Sequence, residues 1–352
     1  IETVDISLPS DVPTAELPVS EDNTPSLNET NNLSAFTTIV TDLLTLQISH
    51  KGGTIISALL NEYPKTLNSE ERFQLLSNSP GRIFHAQSGL IPADQMPTHQ
   101  DEFTSEREEY FLQGDNELIV PLKWTDNNGI IVTKNFYFKP NSYSIEVDYT
   151  IDNNSSSDQV ISSYTQLAHG AAQKSGGFMM GMQNFNGGAI YNDEEVFEKI
   201  DFEDFESNLK TTSIGGWAAM IQHYFFSAWI PNEKETHKYT THVSNNGNYL
   251  LRTVNPGKKI AAGSSVNLGK NQLYIGPKEH VRLERLAPGL DKTVDYGFLF
   301  IVAKPLSVFL HWIYSFVQNW AISIILVTLA IKIAFYKLSE KSFRSMAGMK
   351  KL

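Results

Sequence analysis

One lysine lies inside a long apolar run near the end of the chain. The run extends from Asn319 to Leu338, and a helix of about 20 residues covers about 30 Å, the thickness of a bilayer core. A lysine near the centre of a bilayer costs about 2.5 to 3.5 kcal/mol, so it persists only where it meets water or a partner. Lys332 could therefore be an intramembrane cation that attracts acidic groups.

The depth of Lys332 leaves a second interpretation open. It lies about 9 Å from Leu338 along a helix, so its four-carbon stem could carry the ammonium to the headgroups. Thr328 and Tyr336 are four residues away on either side and share its predicted face. With Lys332 they would form a polar strip beside a water-accessible cavity.

A narrow polar stripe precedes this run. Between Phe298 and Gln318 almost every residue is apolar, except for polar residues spaced by three or four, chiefly Lys304, Ser307, His311, Ser315 and Gln318. That spacing predicts an amphipathic helix, with Pro305 in its first turn, that lies in a membrane interface at 291–318. The alternative is a core helix of the preceding domain.

Charge is distributed unevenly along the chain. The sequence has a net charge of −11, yet seven of its 28 Lys and Arg residues and only one of its 39 Asp and Glu residues follow Ala303. Because a short basic flank is retained in the cytosol, the chain should cross the membrane at 319–338 and enter the cytosol at 339–352. The acidic domain would then lie outside the cytosol. An acidic body also excludes nucleic acid as a partner.

Residues 36–290 carry the pattern of a mainly β domain. Apolar residues alternate with polar ones, as in 117–122 and 143–149, between turn sequences such as 51–53, 126–129, 153–155 and 245–248. A sandwich of antiparallel sheets, closed by a short helix at 278–286, is predicted. The Pro-, Ser- and Asp-rich segment 1–35 is predicted to be an extended linker. No cysteine is present, and neither a metal site nor a cofactor is predicted.

An enzymatic alternative depends on scattered residues of the β domain. His169, His223 and His242 occur with Asp148 and Glu146, the residue types that acid–base catalysis needs. Their spacing marks no site. A sugar-processing activity is therefore the weaker interpretation.

Several sequence runs resemble the bacterial YidC membrane-protein insertase family. They are the junction 286–297, the segments Pro305-Leu306, 311–313 and 315–320, the end 345–350, and the stretches 63–65, 73–76, 215–222 and 228–231. The resemblance covers nearly the whole chain after the linker. It implies a bacterial inner-membrane protein with further membrane helices before Ile1 and after Leu352, and a galactose-mutarotase-like β-supersandwich as its periplasmic domain.

The resemblance also implies a mechanism. In that family, a cation in a hydrophilic groove attracts the polar part of a nascent membrane protein, and the Sec translocon with its accessory subunits and membrane lipids are further partners. Lys332 occupies the matching position, where the family pattern has Arg, and Lys337 stands where it has Pro. Charge attraction should survive the first change, whereas bidentate carboxylate pairing would not. A membrane-anchored docking module is the remaining alternative.

Overall fold

In a computed structural model, residues 36–92, 96–170, 185–194, 196–207, 209–294, 300–337 and 339–341 are described, without the side chains of 300–304. The predicted linker 1–35 and most of the predicted cytosolic segment 339–352 lie outside them. Contacts divide the chain into two units, Ile1–Thr293 (unit 1) and Val294–Leu352 (unit 2).

The described part of unit 1 is built mainly from β-strands, which confirms the predicted class. The strands are β1 (Phe36–Val40), β2 (Leu44–Ser49), β3 (Thr54–Pro64), β4 (Arg72–Ser79), β5 (Arg82–Ile91), β6 (Thr104–Ser105), β7 (Glu109–Phe111), β8 (Leu118–Thr125), β9 (Ile130–Phe138), β10 (Ser144–Asn153), β11 (Gln159–His169), β12 (Gly187–Tyr191), β13 (Phe197–Asp201), β14 (Lys210–Ile214), β15 (Trp217–Ile221), β16 (Phe225–Ile230), β17 (Thr236–Val243), β18 (Tyr249–Val254), β19 (Lys258–Ile260), β20 (Ser264–Asn267) and β21 (Asn271–Pro277). A short 3-10 helix at Phe202–Ser207 follows β13.

Two largely antiparallel sheets are formed from these strands. The first has the order β14-β17-β18-β11-β5-β4-β3-β2-β1-β7, with β19 paired to β11, and the second has the order β13-β12-β15-β16-β21-β10-β9-β8-β6, with β20 paired to β10. In the described chain, β1 and β7 form a parallel pair. The predicted turns lie between β2 and β3, β8 and β9, β10 and β11, and β17 and β18.

The core lies between the two sheets. Strand β9 alternates strictly between buried and half-buried residues, as a strand with one face on a core must. Hydrogen bonds join the sheets where polar atoms are buried: Ser88 and Tyr149 hydroxyls are 2.9 Å apart, and Trp229 Nε1 donates to the Gln166 carbonyl at 3.2 Å. These buried polar groups are therefore paired across the sandwich.

A short helix closes unit 1, as predicted. Helix α1 (His280–Leu286) buries Leu283 completely. The chain then turns at Gly289, whose φ of +69° suits glycine. Trp217 Nε1 donates to the Pro288 carbonyl at 3.0 Å, and a 3-10 turn (Leu290–Thr293) follows with Leu290 buried. These contacts anchor the end of unit 1 to its second sheet.

Unit 2 contains α2 (Phe300–Val317) and α3 (Trp320–Ala334), and both differ from the predicted bounds. Of the predicted 291–318, the 3-10 turn (Leu290–Thr293) belongs to unit 1, and α2 is described from Phe300 onwards, with Pro305 inside it. Helix α3 has 15 residues instead of about 20, because the backbone leaves helical geometry at Phe335 (φ −94°, ψ 4°). Among the described helices, none is both long enough and apolar enough to cross a membrane.

Candidate functional sites

The predicted polar stripe follows α2. Ser307, His311 and Ser315 lie on the helix, and Gln318 follows it in the left-handed region at φ +56°. His311, Ser315 and Gln318 are exposed. Lys304 belongs to the helix, but its side chain lies outside the described residues.

The stripe residues are hydrogen-bonded to their own helix. His311 Nδ1 lies 2.8 Å from the Ser307 carbonyl, Ser315 Oγ donates to the Trp312 carbonyl at 2.7 Å, and Gln318 Nε2 donates to the Ser315 carbonyl at 3.3 Å. Polar side chains bonded in this way need fewer water partners. The helix can therefore lie at a boundary between water and an apolar medium.

Aromatic rings connect α2 to α3. Tyr314 stacks on Trp320 with ring centroids 4.0 Å apart, and His311 meets the same indole edge-on at 5.4 Å. The Asn319 side chain caps α3 by accepting the Ile322 N–H at 3.2 Å. The turn between the helices is therefore held by its own side chains.

Lys332 lies in the last turn of α3 and is exposed. No ion pair with another described residue is formed by its ammonium group. Thr328 is one turn earlier on the same face, with Oγ1 bonded to the Ile324 carbonyl at 2.8 Å. Tyr336 lies just beyond the break at Phe335 and is exposed. That it forms one polar strip with Thr328 and Lys332 stays a prediction.

Most of the surface around these residues is apolar. Of the twenty large hydrophobic side chains exposed in the described chain, thirteen lie in unit 2: Leu306, Val308, Trp312, Phe316, Trp320, Ile322, Ile324, Ile325, Leu326, Leu329, Ile333, Phe335 and Tyr336. An apolar surface of this extent marks contact with lipid or with another protein.

The residues of the enzymatic alternative lie at different places. His169 stacks on Phe202 with centroids 5.0 Å apart, whereas His223 is exposed in the turn between β15 and β16. Asp148 accepts hydrogen bonds from Asn135 and Tyr137 at 2.9 and 3.0 Å, an arrangement that leaves the carboxylate bound within its own sheet.

The two remaining residues of the enzymatic alternative, Glu146 and His242, also lie at different places. Glu146 pairs with Lys139 and Lys270 at 2.6 and 2.5 Å, and burial with the nearby Arg252 charge lowers the pKa of His242. None of these contacts joins a histidine to a carboxylate of the predicted set.

Sequence reasoning missed a polar cluster on the face of the first sheet turned away from the second. His85 and Gln87 of β5 pair in register with Ala168 and Gln166 of β11, and Gln166 Nε2 donates to Gln87 Oε1 at 2.6 Å. Arg252 Nε on β18 donates to Gln166 Oε1 at 3.0 Å. The only signal of this cluster in the sequence was that polar residues alternate along each of two neighbouring strands.

A buried lysine between the two sheets was also missed. Lys134 on β9 is 1 % exposed, and its ammonium group donates to the carbonyls of Gly52, Gly53 and Ser88 at 2.8, 2.9 and 3.3 Å. Burial lowers the pKa of Lys134 well below its ordinary value. In the period-two pattern of β9, Lys134 shares the inward parity of Val132 and Phe136, and this alternation was the signal that could have found it.

A comparison with protein families gives one match. The YidC periplasmic domain family matches residues 37–309, and the chain belongs to this family. The resemblance seen in the sequence is thereby confirmed.

Curated relatives carry the name membrane protein insertase YidC. The protein from Ruthia magnifica subsp. Calyptogena magnifica is 55% identical over 92% of this chain and 59% of its own length. The one from Vesicomyosocius okutanii is 53% identical over the same shares, and the one from Pseudoalteromonas atlantica is 38% identical over 89% and 58%. This chain therefore spans a little under three fifths of the length of these relatives.

Solved structures with a similar fold are distant in sequence. A galactose mutarotase related enzyme from Lactobacillus acidophilus has a TM-score of 0.45 and 11% identity, covering 68% of this chain and 97% of its own. A galactose mutarotase-like protein from Lactobacillus casei has a TM-score of 0.45 and 8% identity, covering 68% and 99%.

Proposed function

We propose that this chain is part of a membrane-protein insertase of the bacterial inner membrane, in which Lys332 attracts the acidic part of a nascent membrane protein. The observation that carries the proposal is an exposed lysine in an otherwise apolar and exposed stretch of α3. Membership of the YidC periplasmic domain family and the names of the relatives support it.

In this proposal the apolar surface of unit 2 lies in the lipid bilayer. Thirteen exposed hydrophobic side chains would cost about 1.5 to 3 kcal/mol each on full transfer to water, so lipid or protein contact is strongly favoured. The stripe of α2 would lie at the headgroups, and unit 1 would lie in the periplasm.

Lys332 would act by long-range attraction, not by forming a permanent pair. A single charge in a medium of low dielectric acts more strongly on an approaching carboxylate than it does in water. Thr328 would take little part, because its hydroxyl is bonded to the Ile324 carbonyl. The Sec translocon, its accessory subunits and lipids are the further partners of the same proposal.

An insertion assay with the full-length protein tests the charge of Lys332. Lys332→Ala should lower insertion of a substrate with an acidic periplasmic tail about tenfold, equal to about 1.4 kcal/mol. Insertion of a substrate with a neutral tail should fall less, and Lys332→Arg should keep the insertion activity. Lys337→Ala, which removes a lysine just beyond α3, is the matched control.

Unchanged insertion of the acidic-tailed substrate by Lys332→Ala would contradict the proposal. If deletion of 36–271 abolished insertion while Lys332→Ala had no effect, unit 1 would be a docking module and unit 2 its anchor. The two variants therefore separate insertion by charge from docking.

A further inference from the structure

A cavity of about 130 Å³ lies on the face of the first sheet turned away from the core. Its walls include His85 and Gln87 of β5 and Gln166 of β11, and His99 lies on the segment that follows β5. This volume exceeds that of one water molecule several-fold, so the cavity can hold a small organic group. None of the residues predicted from the sequence to carry chemistry lines it.

Two histidine nitrogens in this cavity have no partner. His85 and His99 are 9 % and 3 % exposed, and their Nε2 atoms form no hydrogen bond with any described residue. Buried polar groups are nearly always paired, because an unpaired one loses its hydration without compensation. Two such atoms in one small cavity indicate that a ligand supplies the missing partner.

The contacts of His99 determine which kind of partner it needs. The Tyr164 hydroxyl accepts the His99 backbone N–H at 3.2 Å and lies 2.6 Å from Nδ1. The hydroxyl accepts the backbone N–H and has its own proton to donate to Nδ1, and in that tautomer Nε2 is the protonated ring nitrogen. His99 therefore offers an N–H donor and calls for an acceptor.

The charged side chains that shift the pKa of His99 are all basic. Burial, with contributions from Arg252, Lys134 and Lys51, lowers the pKa of His99 to about 3. Burial alone lowers the pKa of His85 to about 4.

Among the described residues that line the cavity, none carries a carboxylate. The nearby Asp101 carboxylate is bound by the Thr98 N–H and hydroxyl at 2.7 Å each, and Arg252 forms no ion pair with any described residue. The cavity is therefore electropositive.

We propose that this cavity binds a carboxylate group, with His99 Nε2–H and His85 as its hydrogen-bonding partners. A negative charge satisfies the unpaired donor and is attracted by Lys51, which lines the cavity, and by Arg252, which is bonded to the lining residue Gln166. The carboxylate can belong to a small free acid or to the end of a peptide. This inference does not depend on the role of Lys332.

Titration of the 352-residue chain in nanodiscs, followed by histidine NMR, tests the proposal at constant ionic strength. Acetate should shift the His85 and His99 ring signals with saturation and raise the pKa of both rings, whereas the neutral isostere acetamide should do neither. His99→Gln and His85→Gln should each weaken acetate binding tenfold or more. His223→Gln, in an exposed turn, is the matched control.

Gln166→Glu provides a second variant that keeps both histidines. The new carboxylate would pair with Arg252 and repel the ligand, so acetate binding should fall at least tenfold while the chain remains folded. An N-acetylated trialanine with a free C-terminus, compared with its amide, distinguishes the sources. Tighter binding of the free peptide than of acetate indicates a peptide end, and the reverse indicates a small acid.

Three results would overturn the proposal. They are equal shifts with acetate and acetamide, shifts that do not saturate, and acetate binding that survives in both histidine variants.

Discussion

The two units distribute their apolar side chains in opposite ways. Unit 1 buries its large rings, including Trp217, Tyr149 and Phe226, and exposes most of its charges, whereas the described part of unit 2 exposes most of its large hydrophobic residues and buries Ser323. The same preference of apolar groups to avoid water explains both, provided that unit 1 is solvated and unit 2 is covered by something apolar. Substitutions should therefore act on folding in unit 1 and on association in unit 2.

The largest effect is expected from crowding unit 1. Gly52 has φ +69°, and a Cβ atom there would lie 2.2 Å from the His99 carbonyl oxygen. Gly52→Ala should lower the free energy of unfolding by more than about 4 kcal/mol, measured by urea denaturation. Gly81→Ala is the control, because φ is +76° with nothing within 4 Å of the Cβ position, and it should cost only about 1 kcal/mol. Equal losses would mean that backbone strain, not the close contact, sets the cost.

A slightly smaller effect is expected from Lys134, which bonds the second sheet to carbonyls of the first. Lys134→Met should cost about 3 kcal/mol, because the carbonyls of Gly52, Gly53 and Ser88 lose their donor. In the unfolded chain Lys134 keeps the ordinary lysine pKa. At pH values between the lowered pKa and the ordinary one, Lys134 therefore binds a proton in the unfolded chain but not in the folded chain. Stability should then rise with pH from the lowered pKa to about 10.5. Urea titrations of Lys134→Met should show no such rise in stability with pH. If the rise persisted, another titrating group would be its cause.

The cavity histidines should make unit 1 sensitive to acid. Their folded-state pKa values, about 4 for His85 and about 3 for His99, lie below the ordinary 6.5. The unfolded chain therefore takes up protons first, and stability is greatest above pH 6.5 and falls as the pH drops towards 4. In calorimetry, His85→Gln should reduce this loss of unfolding free energy at low pH by about 2 to 3 kcal/mol. His223→Gln should leave the dependence of stability on pH unchanged. A profile that is unaltered in His85→Gln would contradict burial as the cause.

The features predicted from the sequence are those set by local chemistry. Turns such as Lys51-Gly52-Gly53 need residues that tolerate positive φ, and β9 shows the period of a strand with one buried face. By contrast, the contacts of Lys134 with Gly52 and of His99 with Tyr164 join residues 82 and 65 positions apart. Such contacts depend on the order of the strands, which a local pattern does not contain.

The end of α3 shows a second limit. The apolar run continues to Leu338, yet regular helix ends at Ala334. Hydropathy reports which solvent a side chain prefers, whereas the end of a helix depends on backbone angles at Phe335. The sequence therefore identified the exposed apolar segment and Lys332, but not the break in the helix at Phe335.

The smallest change in folding is expected from an exposed residue of unit 2. Ile325 is 64% exposed on α3, so Ile325→Ser should alter the free energy of unfolding of the chain by no more than about 0.5 kcal/mol. It should nevertheless weaken partitioning into lipid vesicles about tenfold, because burying an isoleucine side chain in lipid contributes about 1.5 kcal/mol or more. Ile119→Ser, at a residue 48% exposed on β8 of unit 1, is the control and should change neither quantity. If both variants partition equally, the apolar surface of unit 2 does not contact lipid, and a second protein must cover it.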